Sequence, residues 1–282
     1  MNAPANGGPG KHSDVVSRRR LLWLAGGVGL AATVGSCSNK TAADPASGPT
    51  ENPSPASPSN HMAGPTETGQ PTMAPPGPTI SASPAAAASA QLLCRDAWQA
   101  RPARPGGKPH TPNRLTIHHS AVVLGANSNA PNRFRQDQRY HQDQLGWVDI
   151  AYHIGIDRDG HIYELRDPNI AGDTATEYDT TGHFLVFCEG DFDKEPVSDA
   201  LLYGAAVACA WAAQTFHIPT STLAGHRDFA QTSCPGANLY AHISSGDLRS
   251  RIDMLLDAGG VNLQRFCGPE AVAAVAAIEA GS

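Results

Sequence analysis

Residues 183–216 read HFLVFCEGDFDKEPVSDALLYGAAVACAWAAQTF, and two different periodicities sit side by side in them. Phe184-Leu185-Val186-Phe187 is a short apolar run at strand length. Ser198, a good N-cap, then opens a helix to Phe216 whose Leu201, Leu202, Ala205, Ala208, Cys209 and Ala212 mark one apolar face. Pro219 follows its end. Working upstream, residues 161–165 and 151–156 read as strands joined by the turn Asp157-Arg158-Asp159-Gly160, which predicts a hairpin. Residues 132–144 read as a helix stopped at Gly146, and Leu115-Thr116-Ile117-His118-His119 as a strand after Pro112. Downstream, residues 248–256 and 269–278 read as helices. Helices alternating with paired strands predict an α/β fold, a central mixed sheet flanked by helices in a single domain.

Composition confines that domain to the last two thirds of the 282 residues. Trp23 is the sole aromatic residue before Trp98. Residues 38–91 hold 11 of the 23 prolines and four charges, Lys40, Asp44, Glu51 and Glu67. Such a stretch cannot bury enough apolar surface to offset its ordering entropy, so it is expected to be a disordered tether. Residues 92–282 remain for one core, which is ample. They carry 15 Lys and Arg against 22 Asp and Glu, the wrong sign for a binder of phosphate backbones. Nucleic acid is thereby excluded as the expected partner, and a monomer is expected.

Residues 1–37 read as an export signal. Ser17-Arg18-Arg19-Arg20 precedes an apolar run from Leu21 to Gly35, shorter than the ~20 residues that span a bilayer. The consecutive arginines point to the twin-arginine route. Val34-Gly35-Ser36-Cys37 resembles the lipobox of bacterial lipoproteins, which implies cleavage before Cys37 and acylation of its sulfur. An uncleaved anchor, or a signal cut at another small residue, is the alternative. With a lipidated Cys37, the 54 residues 38–91 would be a leash with an r.m.s. span of roughly 40 Å. The expected location is the outer face of a bacterial membrane. In an exported chain, Cys94, Cys188, Cys209 and Cys267 could form two disulfides with three connectivities. Cys188 and Cys209 could equally be reduced core residues.

Two clusters carry chemistry. His118 and His119 are neighbours on a strand and face opposite sides, so at most one of them can enter a given cleft. In Gly225-His226-Arg227-Asp228, running on to Cys234-Pro235-Gly236, His226 and Cys234 lie eight residues apart across a short polar loop. Such a loop can bring an imidazole and a thiolate to one zinc ion, and a third ligand from a distant strand would leave a position for water.

LTIHHSA (residues 115–121), QRYHQDQLGWVDIAYHIGIDRDGHIYELRD (138–167) and GHRDFAQTSCPG (225–236) resemble, in order and spacing, the zinc-dependent N-acetylmuramoyl-L-alanine amidases of the amidase-2 family. That family includes the peptidoglycan recognition proteins, whose domain start CRDAWQA (94–100) also resembles. The likeness covers residues 94–257. It implies a peptidoglycan recognition protein-like fold and peptidoglycan as the partner. It also implies Zn2+ held by His118, His226 and Cys234, with Tyr152 and Thr232 facing the reacting atoms, and His119 and His153 in packing and supporting hydrogen bonds. The expected reaction is hydrolysis of the amide between N-acetylmuramic acid and L-alanine.

The chain also departs from the family. AGDTATEYDTTGHFLVFCEGD (171–191) has Thr174 where relatives often have histidine and Asp179 where they have asparagine. Phe187 stands where some relatives carry a glutamate base, which leaves Tyr152, a second water or Glu189 for that role. A binding-only module and a cysteine hydrolase using Cys234 with His226 are the competing readings. The anchor has its own test: Cys37→Ala should move the protein from the membrane fraction to the soluble fraction, and unchanged partitioning would refute lipidation.

Overall fold

The computed structural model describes residues 87–282. The expected signal and nearly all of the expected tether lie outside the described residues. The elements run β1 (Ala88–Leu93), β2 (Arg114–His119), α1 (Ala130–Asp143), β3 (Ile154–Ile156), β4 (Ile162–Glu164), β5 (His183–Cys188), α2 (Asp199–Phe216), β6 (Ala224–Gly225), α3 (Ala237–Ser244), α4 (Asp247–Asp257), β7 (Val261–Phe266) and α5 (Pro269–Ala280). The strands form one seven-stranded sheet in the order β6-β2-β5-β3-β4-β1-β7. Every neighbouring pair is parallel except the β3–β4 hairpin. The fold is α/β, with a mixed sheet between helices.

All six residues of β5 are buried, which is what a continuous apolar run means in a sheet covered on both faces. On one face Leu115, Ile117, Phe184, Val186 and Cys188 pack under α2, with Leu248 and Ile252 of α4 closing the layer. On the other, Phe134 of α1 and Ala271, Val275 and Ile278 of α5 meet Trp98, Tyr163 and Phe187. The α2 helix begins where its cap predicts, since Ser198 Oγ accepts the Leu201 N–H at 3.1 Å. Its alanines let it lie close: a Cβ on Gly204 would sit 2.8 Å from the Gly160 carbonyl oxygen in the β3–β4 turn.

Several boundaries differ from expectation. Residues 88–91, expected to belong to the tether, are part of β1, because Ala88–Leu93 pairs in full register with Val261–Phe266. ASAQLL carries little apolar signal, and backbone ladder bonds hold it. β7, α3 and the two-residue β6 were not anticipated. β3 is confined to Ile154–Ile156; one residue earlier the His153 N–H donates to Leu185 O at 3.0 Å while its carbonyl accepts from the Leu165 N–H at 2.9 Å.

Of the open cysteine pairings, the structure forms Cys94–Cys267 and leaves Cys188 and Cys209 free and buried. The register explains the pair. Leu93 stands opposite Phe266 on adjacent parallel strands, so the next residue of each lies at the same level, with Cα atoms 5.0 Å apart. The bond closes a loop with a sequence separation of 173, so its removal should cost about 2–5 kcal/mol. The variant C94S/C267S should show a lower urea midpoint, and reductant should lower the wild-type midpoint to match. Equal midpoints in oxidised wild type and variant would refute a stabilising role.

Candidate metal centre and its cleft

The centre is built at the carboxyl ends of neighbouring parallel strands. Ile117 of β2 pairs with Gly225 of β6, so the next residues, His118 and His226, come out side by side. Their ring centroids lie 4.7 Å apart. Gly225 is required for this approach: a Cβ there would sit 2.9 Å from Pro235 Cδ and 3.0 Å from the Tyr240 ring. The chain then turns at once. Asp228 accepts the Gly225 N–H at 2.8 Å and the Tyr240 hydroxyl at 2.6 Å. Arg227 N–H donates to the Cys234 carbonyl at 2.9 Å, which folds residues 226–234 back on themselves. Thr232 Oγ1 accepts the Cys234 N–H at 3.2 Å, and the His119 N–H points at Cys234 Sγ from 3.4 Å.

As a result His118, His226 and Cys234, all buried, each bring a ligand atom within 4.8 Å of the other two. Cys234 Sγ is 3.7 Å from His118 Nδ1. The outer nitrogens face hydroxyls: His226 Nε2 bonds Thr176 Oγ1 at 2.7 Å, and His118 Nε2 lies 3.5 Å from Tyr178 OH. Burial holds the His118 pKa well below the usual histidine range and lowers that of His226 to about 4, so both rings are neutral. Burial also pushes the Cys234 thiol up to about 12. A thiol so placed would be deprotonated only on binding a cation, its proton leaving to solvent as the sulfur is ligated, and two imidazoles with one thiolate are a donor set suited to zinc. The same shift runs against Cys234 as a free thiolate nucleophile.

Above the centre is a cleft of about 240 Å³, with Tyr140, Leu145 and Trp147 along one wall and Thr174 and Thr176 along another. Tyr152 and Thr232 also line it. The Tyr152 ring stacks on Phe187 at 4.1 Å and stands 5.0 Å from His118. A larger cavity, about 490 Å³ between β1, α2 and α5, gathers no comparable set of donor atoms. The two other histidines lie apart from the centre's donor set. His153 accepts the Leu185 N–H at 2.9 Å and bonds Ile170 O at 3.0 Å, while His119 Nδ1 accepts the Phe192 N–H at 3.3 Å.

Residues 108–237 match the sequence pattern of the amidase-2 family, described as N-acetylmuramoyl-L-alanine amidase. Peptidoglycan recognition protein 1 of Mus musculus is 32% identical over 160 residues, covering 55% of this chain and 86% of that protein. Peptidoglycan-recognition protein LB of Drosophila melanogaster is 34% identical over 166 residues, covering 56% and 69%. A Drosophila PGRP-LB variant solved in complex with tracheal cytotoxin superposes with a TM-score of 0.50 at 31% identity, over 55% of this chain and 93% of that one. The chain belongs to the amidase-2 and peptidoglycan recognition protein family.

Within that family frame, Thr174 and Asp179 mark the departures noted in the sequence. Asp179, exposed, accepts from the Thr181 N–H at 3.0 Å and the Thr181 hydroxyl at 2.6 Å, whereas Thr174 stands in the cleft wall. Sequence reasoning missed Thr176 and Tyr178 as partners of the two histidines. The signal available was their position beside Thr174, in the stretch where this chain leaves the family pattern. Glu189, one of the candidate bases, is not among the residues lining the cleft. Its buried Oε1 accepts from Ser120 Oγ at 2.9 Å, and Arg133 Nε stands 3.9 Å away.

Glu189 Oε2 and Asp137 Oδ2 are both buried without a hydrogen-bond partner. One proton shared between the two carboxyls would satisfy both oxygens. Burial and mutual repulsion raise the pKa of Glu189 well above the carboxylate range, and burial raises that of Asp137. A raised folded pKa means that the folded pair keeps protons the unfolded chain has released. Its contribution to stability is therefore full at acidic pH and is lost as pH rises above the ordinary carboxylate range. D137N/E189Q should flatten the fall in urea stability between about pH 5 and 8. An unchanged slope in that variant would refute the shared proton.

Proposed function

We propose that this chain hydrolyses the amide bond between the lactyl group of N-acetylmuramic acid and the L-alanine of the peptidoglycan stem peptide. His118, His226 and Cys234 would hold one zinc ion. The observation that carries the reading is the convergence of these three buried donor atoms within 4.8 Å at the floor of a cleft. The family description names this bond, and the Drosophila relative holds tracheal cytotoxin, a monomeric diaminopimelic acid-type peptidoglycan. When bound, zinc supplies a Lewis acid for the amide carbonyl and lowers the pKa of a coordinated water toward ~7.

The chain's own groups do the rest. Tyr152 is held by its stack on Phe187 and brings a phenolic donor beside His118, where charge on the attacked carbonyl oxygen would develop. Thr232 Oγ1 already accepts the Cys234 N–H, so its own proton is free for the scissile carbonyl. A neutral hydroxyl there stabilises a developing negative charge less than an ammonium group would. Tyr140, Leu145 and Trp147 give the cleft an apolar wall along which a muramyl peptide can lie. We place this head at the outer face of the bacterial membrane, joined through the tether to an acylated Cys37.

Digestion of purified peptidoglycan by the protein should release new L-alanine amino termini, and a chelator should abolish this until zinc is restored. Chelator-insensitive cleavage would sink the zinc reading, and tight wall binding without cleavage would make the chain a binding module. C234S should lose stoichiometric zinc and more than about 100-fold of the activity, since the loss of even an outer support costs 10–100-fold. Full activity in C234S would refute the ligand assignment.

A further inference from the structure

Residues 173–179 cross the cleft wall pinned at both ends. Arg166, 2% exposed, donates to the carbonyls of Ile150, Ala171 and Asp149 at 2.7, 2.6 and 2.9 Å and to Asp173 Oδ2 at 2.6 Å. Thr180 Oγ1 donates to Gly172 O at 2.7 Å, closing the other end. Gly172 packs closely on its neighbours, since a Cβ there would lie 2.3 Å from Ala151 O. Between these anchors the Thr174 and Thr176 hydroxyls bond each other at 2.7 Å, and the Thr176 N–H donates to Thr174 Oγ1 at 3.1 Å. Thr176 Oγ1 then bonds His226 Nε2 at 2.7 Å.

An imidazole that gives one nitrogen to a metal carries its hydrogen on the other, and the partner of that N–H sets both tautomer and ring angle. Nε2 of His226 is taken by Thr176, which leaves Nδ1 for the centre. His226 Nε2–H then donates to Thr176 Oγ1, whose own proton passes on to Thr174 Oγ1. We propose that Thr176 is a positioning residue for the metal ligand His226, and that Thr174 is the outer end of a hydroxyl chain running from the cleft wall to that ligand. The inference rests on the zinc reading above. It assigns a role to the stretch in which this chain departs from its family. Tyr178 stands in the analogous place beside His118, but at 3.5 Å its hydroxyl is at the limit of a hydrogen bond. Distance therefore ranks Thr176 first.

The test is zinc affinity, measured by competition with a chromophoric chelator, together with the visible spectrum of the Co2+-substituted protein. T176V keeps the side-chain shape and removes the hydroxyl; it should lose about 10–100-fold in zinc affinity and shift the Co2+ bands. T176S should stay close to wild type in both readouts, and Y178F should change affinity far less than T176V. T176A, which adds no apolar bulk beside the ring, serves if T176V does not fold. Wild-type affinity and spectrum in the hydroxyl-free variant would overturn the inference while leaving the zinc reading intact. A weakening that T176S shares in full would also overturn it. Absence of zinc binding by the wild type would overturn both.

Discussion

The pairing of Ile117 with Gly225 across β2 and β6 is the contact on which the site depends. β6 is two residues long, and its ladder is correspondingly small. Yet parallel register converts it into a constraint on side chains, because the residues that follow the pair stand side by side at the same level. His118 and His226 are those residues. The tight turn after Gly225, tied by Asp228, then sends residues 226–234 back so that Cys234 meets the same point. Three residues from two distant segments are thus placed by backbone hydrogen bonding, and their side chains have little left to settle.

Burial then decides their chemistry. A site open to water would leave the histidines free to titrate near neutrality and the thiol near its usual range. Here burial lowers the pKa of both rings, so that neutral imidazoles are ready donors, and raises that of the thiol, whose proton a bound cation would have to displace. Tyr152 and Tyr178 pack against the two histidine rings at centroid distances of 5.0 and 5.1 Å, and Phe187 stacks on Tyr152. Behind this layer Glu189 and Asp137 share their burial away from the cleft.

The site also relies on a frame that closes far from it. β1 and β7 extend the sheet on the side opposite β6, and the Cys94–Cys267 bond locks the segment leading into α5. α5 in turn covers the same face as α1, completing the apolar layer that supports Phe187 and hence Tyr152. The family match at residues 108–237 does not include β1, α4, β7 or α5.

By itself the sequence determined the features whose causes are local. The run at 183–188 makes a strand, Ser198 starts α2 by bonding the Leu201 N–H, and the turn at 157–160 joins two strands. The spacing of His226 and Cys234, and the position of His118 in its motif, were legible because one loop and one strand end carry them. Tertiary structure alone decided the rest. ASAQLL becomes a strand, and Cys94 finds Cys267, through a ladder between segments 173 residues apart that no local preference announces. The placing of Thr176 and Tyr178 shows in distances of 2.7 and 3.5 Å to the rings of His226 and His118, which come from distant segments. A hydroxyl has the same chemistry anywhere in a chain, and only the packing of distant segments determines which nitrogen it meets.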